Sequence, residues 1–163
     1  MKFVARIAVL LVALIACAWA LRKWCYEPYA CNAALTDIQN ATAAIEELRG
    51  QYSQFQRTQN NIERLQKLEP ACRADVRLYV LLAANESAAG RAQNAVDAYR
   101  KALTIDRRSE IYFGLARELV QLGRTEEAVE AFTVAARFNP YASDWYPSEE
   151  ILRRVNERLK RAR

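Results

Sequence analysis

Four cysteines, Cys17, Cys25, Cys31 and Cys72, are the residues of this chain best suited to chemistry. Histidine is absent from all 163 residues, which removes imidazole acid–base catalysis and histidine metal ligation. Cys25 and Cys31 are too far apart for the usual zinc-ligand spacing and Cys17 lies inside an apolar run, so no metal site is expected. In an oxidising compartment Cys31 and Cys72 are the expected disulfide, with Cys25 left unpaired or intermolecular. In a reducing one both are ordinary thiols. The carboxylates offer less. Glu46-Glu47, Glu126-Glu127 and Glu149-Glu150 fall on helical patterns, where adjacent side chains point in different directions, so solvation accounts for them better than acid–base work. No Gly-rich phosphate loop is present. Asn40-Ala41-Thr42 and Asn85-Glu86-Ser87 match the glycosylation triplet, which matters only in a eukaryotic secretory route. The expectation is a protein with no catalytic residue, no cofactor and no small-molecule substrate. The net charge of +5 suits an acidic partner or an anionic membrane surface and is too small to call for nucleic acid.

The elements that position these residues are helices, and the stretch from Val76 to Pro140 organises them. Set against itself with an offset of 33, Gly90 falls on Gly123, Ala95 on Ala128, Tyr99 on Phe132 and Ala102 on Ala135. Tyr79 falls on Tyr112, Leu82 on Leu115 and Ala83 on Ala116. A fixed period of this size marks a repeat array. Each unit reads as two helices. In the second, Tyr112, Leu115, Ala116, Leu119 and Leu122 keep a helical spacing until Gly123 breaks it, and Ala128, Val129, Phe132, Ala135 and Ala136 start a new stripe that Asn139-Pro140 stops. Small residues at Ala116, Ala128 and Ala135 let paired helices approach, while Tyr112 and Phe132 fill the gaps.

Tyr112, Leu115, Ala116, Gly123, Ala128, Phe132, Ala135 and Pro140 resemble the signature of the tetratricopeptide repeat. The first unit departs from it at Glu86, where an apolar residue is usual, and at Arg107, where the proline is. The resemblance covers about the middle two-fifths of the chain and implies an all-α solenoid that presents a surface to another protein. It also implies that the first helix of each unit lines a concave face, so that Arg77, Val80 and Ala84 share a groove with Phe113, Arg117 and Gln121. The family's clamp for acidic C-terminal peptides needs Lys and Asn residues that are absent from these positions, so that ligand is not carried over.

Upstream, Leu35, Ile38, Ala41, Ile45, Leu48, Tyr52, Phe55, Ile62 and Leu65 keep helical spacing from Ala33 to Leu68. One reading is a single long helix with a coiled-coil seam. The other is a hairpin turning near Gly50-Gln51. Two repeats are too few to close a stable array, which calls for a further helix pair here. Cys31 and Cys72 lie almost equally far from Gly50, so a hairpin brings them together. The favoured reading is a degenerate helix pair over residues 25–72, entered through a short connector at Tyr26–Asn32 and ended by Glu69-Pro70.

Residues 1–24 carry the apolar run Ile7–Leu21 between Lys2 and Arg6 on one side and Arg22-Lys23 on the other. Three fates compete: an uncleaved transmembrane signal anchor, which is favoured; cleavage after Ala18-Trp19-Ala20; and lipidation of Cys17, because Leu14-Ile15-Ala16-Cys17 resembles the bacterial lipoprotein box. All three put the remainder outside the cytoplasm, on the periplasmic side of a bacterial inner membrane. After two repeat units over residues 73–140, residues 141–163 read as a capping helix. Trp145 sits at the aromatic position of a third unit, Ser148 caps the helix, and Ile151, Val155, Leu159 and Ala162 form its inner face. Arg153, Arg154 and Arg158 lie on the outer side, read as a solvated face. The function expected is a membrane-tethered scaffold that binds another envelope protein through its repeats. The alternative is a structural subunit of a larger membrane or filament complex.

Overall fold

The computed structural model describes residues 2–45, 51–139 and 146–161, with side chains for residues 11–24, 26–44, 53–139 and 146–161. Glu46-Glu47, Gly50, Trp145 and Ala162 fall outside the described residues, as do the side chains of Cys25 and of the first ten positions. The elements are α1 (Lys2–Leu21), a π-helical turn (Arg22–Tyr26), α2 (Glu27–Ile45), α3 (Gln51–Cys72), α4 (Val76–Ala88), α5 (Ala92–Ile105), α6 (Ser109–Gln121), α7 (Thr125–Phe138) and α8 (Glu149–Arg161). The chain is all-helical over the described residues.

The connector expected at Tyr26–Asn32 does not exist. α1, the π-helical turn and α2 follow one another without a break, a rod of about 65 Å at 1.5 Å per residue. A proline ring clashes with the carbonyl four residues before it. Here the wider turn comes immediately before Pro28, with the Glu27 N–H donating to the Arg22 carbonyl, and this i→i+5 geometry makes room for the ring. Nor does Glu69-Pro70 end the second helix: α3 continues through Pro70 to Cys72. Pro70 stands in the last turn on an exposed side, where it costs one backbone bond and no packing.

α2 and α3 form an antiparallel hairpin. Cys31 meets Cys72 with a Cα–Cα distance of 5.7 Å, Asp37 pairs with Arg64, and Thr42 accepts from Asn61 at 3.4 Å. Partners that descend along one helix as they rise along the other leave no room for a single straight helix over Ala33–Leu68. Leu35, Ile38, Ile62 and Leu65 fill the seam and are fully buried.

The two units downstream close in the same way. Gly90 and Gly123 both take positive φ, 73° and 71°. At the first, Arg91 N–H donates to Glu86 O and Gly90 N–H to Ser87 O; at the second, Arg124 N–H donates to Leu119 O and Gly123 N–H to Val120 O. These bonds satisfy the last carbonyls of α4 and α6 with a glycine in the left-handed region. Ala83, Ala95, Ala102, Ala116, Ala128 and Ala135 have no exposed surface, so small residues set the helix separation as the sequence pattern requires. Each helix packs on the next from α2 to α7, α2 also touches α4, and α8 lies on α7. Two apolar cores result. One joins Cys31, Leu35, Cys72, Leu78 and Ile111; the other joins Val96, Phe113, Phe132, Ile151 and Val155. Tyr99 and Leu103 of α5 pack against both.

Ser148 caps α8, its hydroxyl accepting from Ile151 N–H at 3.3 Å, and Ile151, Val155 and Leu159 face the core. The outer arginines are less solvated than expected. Arg154 and Arg158 both grip Glu126 of α7, and Arg153 pairs with Glu157. Among the described residues no helix is long and apolar enough to cross a membrane; the span expected over residues 1–24 falls partly on side chains outside that description.

Candidate partner-binding groove

Arg77 and Val80 of α4 line a cleft of about 360 Å³ together with Gln39 of α2 and Arg108, Glu110 and Ile111 at the start of α6. Local chemistry fixes both arginines. Asp75 is the N-cap of α4, accepting from the Arg77 N–H at 2.9 Å. The same carboxylate holds the Arg77 guanidinium through Nε and, at 2.6 Å, a terminal nitrogen. That bond holds the Asp75 carboxyl below its ordinary value against the opposing effect of burial, and raises Arg77 in turn. Arg108 is held by Asp106 at 2.6 Å. The cleft thus has an apolar floor of Val80 and Ile111 with a polar mouth of both signs, and suits an extended or helical peptide segment.

Other residues expected in this groove stand elsewhere. Phe113 is not a surface residue: it is 3% exposed, with its ring centroid 5.7 Å from Phe132 and 5.8 Å from Tyr146. Tyr146, ahead of α8, covers it. An aromatic at a groove position of the repeat pattern is therefore used here to seat the C-terminal segment. Ala84 is half-buried, and Arg117 and Gln121 are exposed, outside the cleft that holds Arg77 and Val80. Glu110 and Ile111 were legible in principle, since the offset of 33 places them on Arg77 and Leu78. Gln39 was not, because α2 carries no repeat register.

The departures from the repeat pattern are accounted for in place. Glu86, 3% exposed, is paired with Arg91 Nε at 2.9 Å and accepts from Asn94 at 3.4 Å. In the stretch that holds Arg107, Asp106 ends α5 in extended backbone. Where α2, α3 and α4 meet, Asn85 donates to Thr42 at 3.1 Å and to Leu81 O at 2.8 Å, and accepts from Asn61 at 3.3 Å. On the outer side Glu69 Oε1 accepts from Lys101 at 2.9 Å and from Tyr79 at 3.2 Å, tying α3, α4 and α5. Cys17 is exposed on α1. Among the described residues no group of His, Cys, Asp or Glu is placed to hold a metal ion.

Stacked antiparallel helix pairs with glycine-capped turns and a terminal cap define an α-solenoid, a class of binding scaffold. Residues 76–108 and 109–141 match the family model of the tetratricopeptide repeat, so the chain carries two such repeats. No curated protein matches it. The crystal structure of a thermophilic TPR protein of Thermus thermophilus resembles it with a TM-score of 0.64 at 15% identity, covering 95% of this chain and 76% of that one. At that identity the likeness concerns the fold.

Proposed function

We propose that this chain is a membrane-tethered repeat scaffold that captures another protein of the cell envelope, with residues 1–24 as the tether and the helix pairs on the periplasmic side of a bacterial inner membrane. The observation that carries the tether is the state of α1. It continues into the π-helical turn as one rod and leaves Leu11, Val12, Leu14 and Ile15 between 55% and 69% exposed. Together with the residue types of the run Ile7–Leu21, this is an apolar cylinder that water does not tolerate and a bilayer does. The placement of Cys31 against Cys72, both buried, supports an oxidising compartment for the body, since a bridge is retained there and reduced in the cytosol.

The partner segment lies over Val80 and Ile111, with Arg77, Arg108 and Glu110 setting its register. Copurification of the intact chain in mild detergent decides it. Wild type retains its partner, and Val80→Glu loses it at least tenfold while melting within a few degrees of wild type. Equal retention by the variant removes the cleft from the binding surface. Extraction of the chain from membranes by alkaline carbonate removes the tether.

A further inference from the structure

The open end of the α2–α3 hairpin is also the end from which α1 departs. Lys23, Glu27 and Cys31 of the rod line one cleft there with Asp75 of the α3–α4 turn and Asp106 of the α5–α6 turn. An adjoining cleft of about 500 Å³ has Trp19, Arg22, Lys23 and Arg73 on its walls, with Glu27 as its one carboxylate. Every carboxylate at this end is already engaged: Glu27 by Arg22 at 3.8 Å, Asp75 by Arg77 at 2.6 Å and Asp106 by Arg108 at 2.6 Å. Lys23 and Arg73, on the walls of the second cleft, have no carboxylate partner among the described residues, and Arg107, likewise without one there, follows Asp106 in the α5–α6 turn that borders the first. Around the rod at the same level, Trp19, Trp24 and Tyr26 are 61%, 79% and 68% exposed, and Lys23 Nζ lies 4.9 Å from the Trp19 ring. From Trp19 to Tyr26 the rod rises about 10 Å, enough to cross one headgroup layer of about 5–7.5 Å. Trp and Tyr favour that layer, and clustered cations beside a membrane helix bind anionic lipid.

We infer that this base is an anionic-lipid docking surface, with Lys23, Arg73 and Arg107 on headgroup phosphates and the aromatic belt at the interface, so that the repeat body is held down on the bilayer rather than swinging above it. The inference rests on the tethered reading and adds orientation to it. The occupant is the headgroup layer of the bilayer that α1 enters. Charge complementarity and continuity with the apolar helix select it over a soluble acidic protein.

The test reconstitutes the full chain into vesicles of phosphatidylcholine alone and of equimolar phosphatidylcholine and phosphatidylglycerol. Flotation reads the tether, and the rate of tryptic cleavage after Arg73 reads the docked base. Cleavage after Arg124, in the turn at the far end of the units, is the internal control. The expected result is flotation with both vesicles and cleavage after Arg73 about tenfold slower on the anionic one. Cleavage after Arg124 stays unchanged, and the protection is lost in high salt and in Lys23→Gln/Arg107→Gln. Equal rates after Arg73 on both vesicles, or equal slowing after Arg73 and Arg124, overturn the docked base and leave the tether standing. Flotation with the anionic vesicle alone overturns the spanning tether and keeps the base. Flotation with neither overturns both.

Discussion

A β-carbon on Gly114 would come within 2.7 Å of Cε1 and of the hydroxyl of Tyr99, a ring that packs against both cores of the protein. Gly114→Ala should therefore cost about 1–3 kcal/mol, the range for overfilling a packed site. Tyr99→Leu should lessen the penalty when combined with it; additive losses in urea midpoints would show that the two positions do not touch. Phe113 makes the opposite point about residue types. Its ring is enclosed by Phe132 and Tyr146, so Phe113→Ala should destabilise by about 3–5 kcal/mol and loosen the C-terminal segment. Loss of partner capture in that variant would report unfolding, not a binding contact. A melting temperature within a degree or two of wild type would contradict the placement.

At the scale of elements, polar clusters fix which helices lie side by side. Thr42, Asn61 and Asn85 satisfy one another where α2, α3 and α4 meet, with Asn61 and Asn85 buried. Asn85→Leu leaves Asn61 without its buried acceptor and should lower stability by about 1–3 kcal/mol. Asn85→Asp keeps the acceptor but loses the donations to Thr42 and Leu81 O and buries a carboxylate there, so at neutral pH it should cost more than Asn85→Leu; chemical denaturation separates the two. The bridge from Glu69 to Lys101 and Tyr79 gives a pH dependence. The hydrogen bond from Lys101 is the main reason the Glu69 carboxyl titrates below its ordinary 4.5, with burial opposing it. A carboxylate lowered on folding contributes stability in full above its unfolded pKa and loses it as the pH falls through the folded value. This contribution therefore holds from neutral pH to about 4.5 and fades below. Glu69→Gln should flatten that part of the acid-unfolding curve. An unchanged slope would show the bridge to be solvated away, as exposed pairs can be.

The whole molecule depends on the hairpin, because α2 and α3 join α1 to the repeats. Cys31 and Cys72 are separated by 41 residues in sequence, and closing a loop of that length stabilises by about 4 kcal/mol on the chain-entropy argument. Reduction, or Cys31→Ser, should lower the melting temperature without changing the helical content at room temperature. Non-reducing peptide mapping should return the two cysteines as one linked pair within a monomer. Free thiols at both positions in protein made in an oxidising compartment would remove the bridge, while a linkage between two copies through Cys31 would place the hairpin faces in a dimer.

The sequence alone determined the repeat register, the glycine breaks between paired helices and the capped C-terminal helix, and favoured the pairing of Cys31 with Cys72, because each rests on a local rule. Helical period, the backbone freedom of Gly90 and Gly123, the hydroxyl of Ser148 and chain distance from a turn act over a few residues or on a simple count. Tertiary structure decided what no local rule reaches. Pro28 and Pro70 look like helix ends in sequence, yet a π-helical turn absorbs one and the exposed last turn of α3 tolerates the other. Phe113 occupies a groove position in the repeat pattern, yet Tyr146 covers it from more than thirty residues away. Gln39 enters the cleft only because α2 packs on α4. Burial is a property of what lies opposite a side chain, and in a solenoid the opposite side chain belongs to another helix pair.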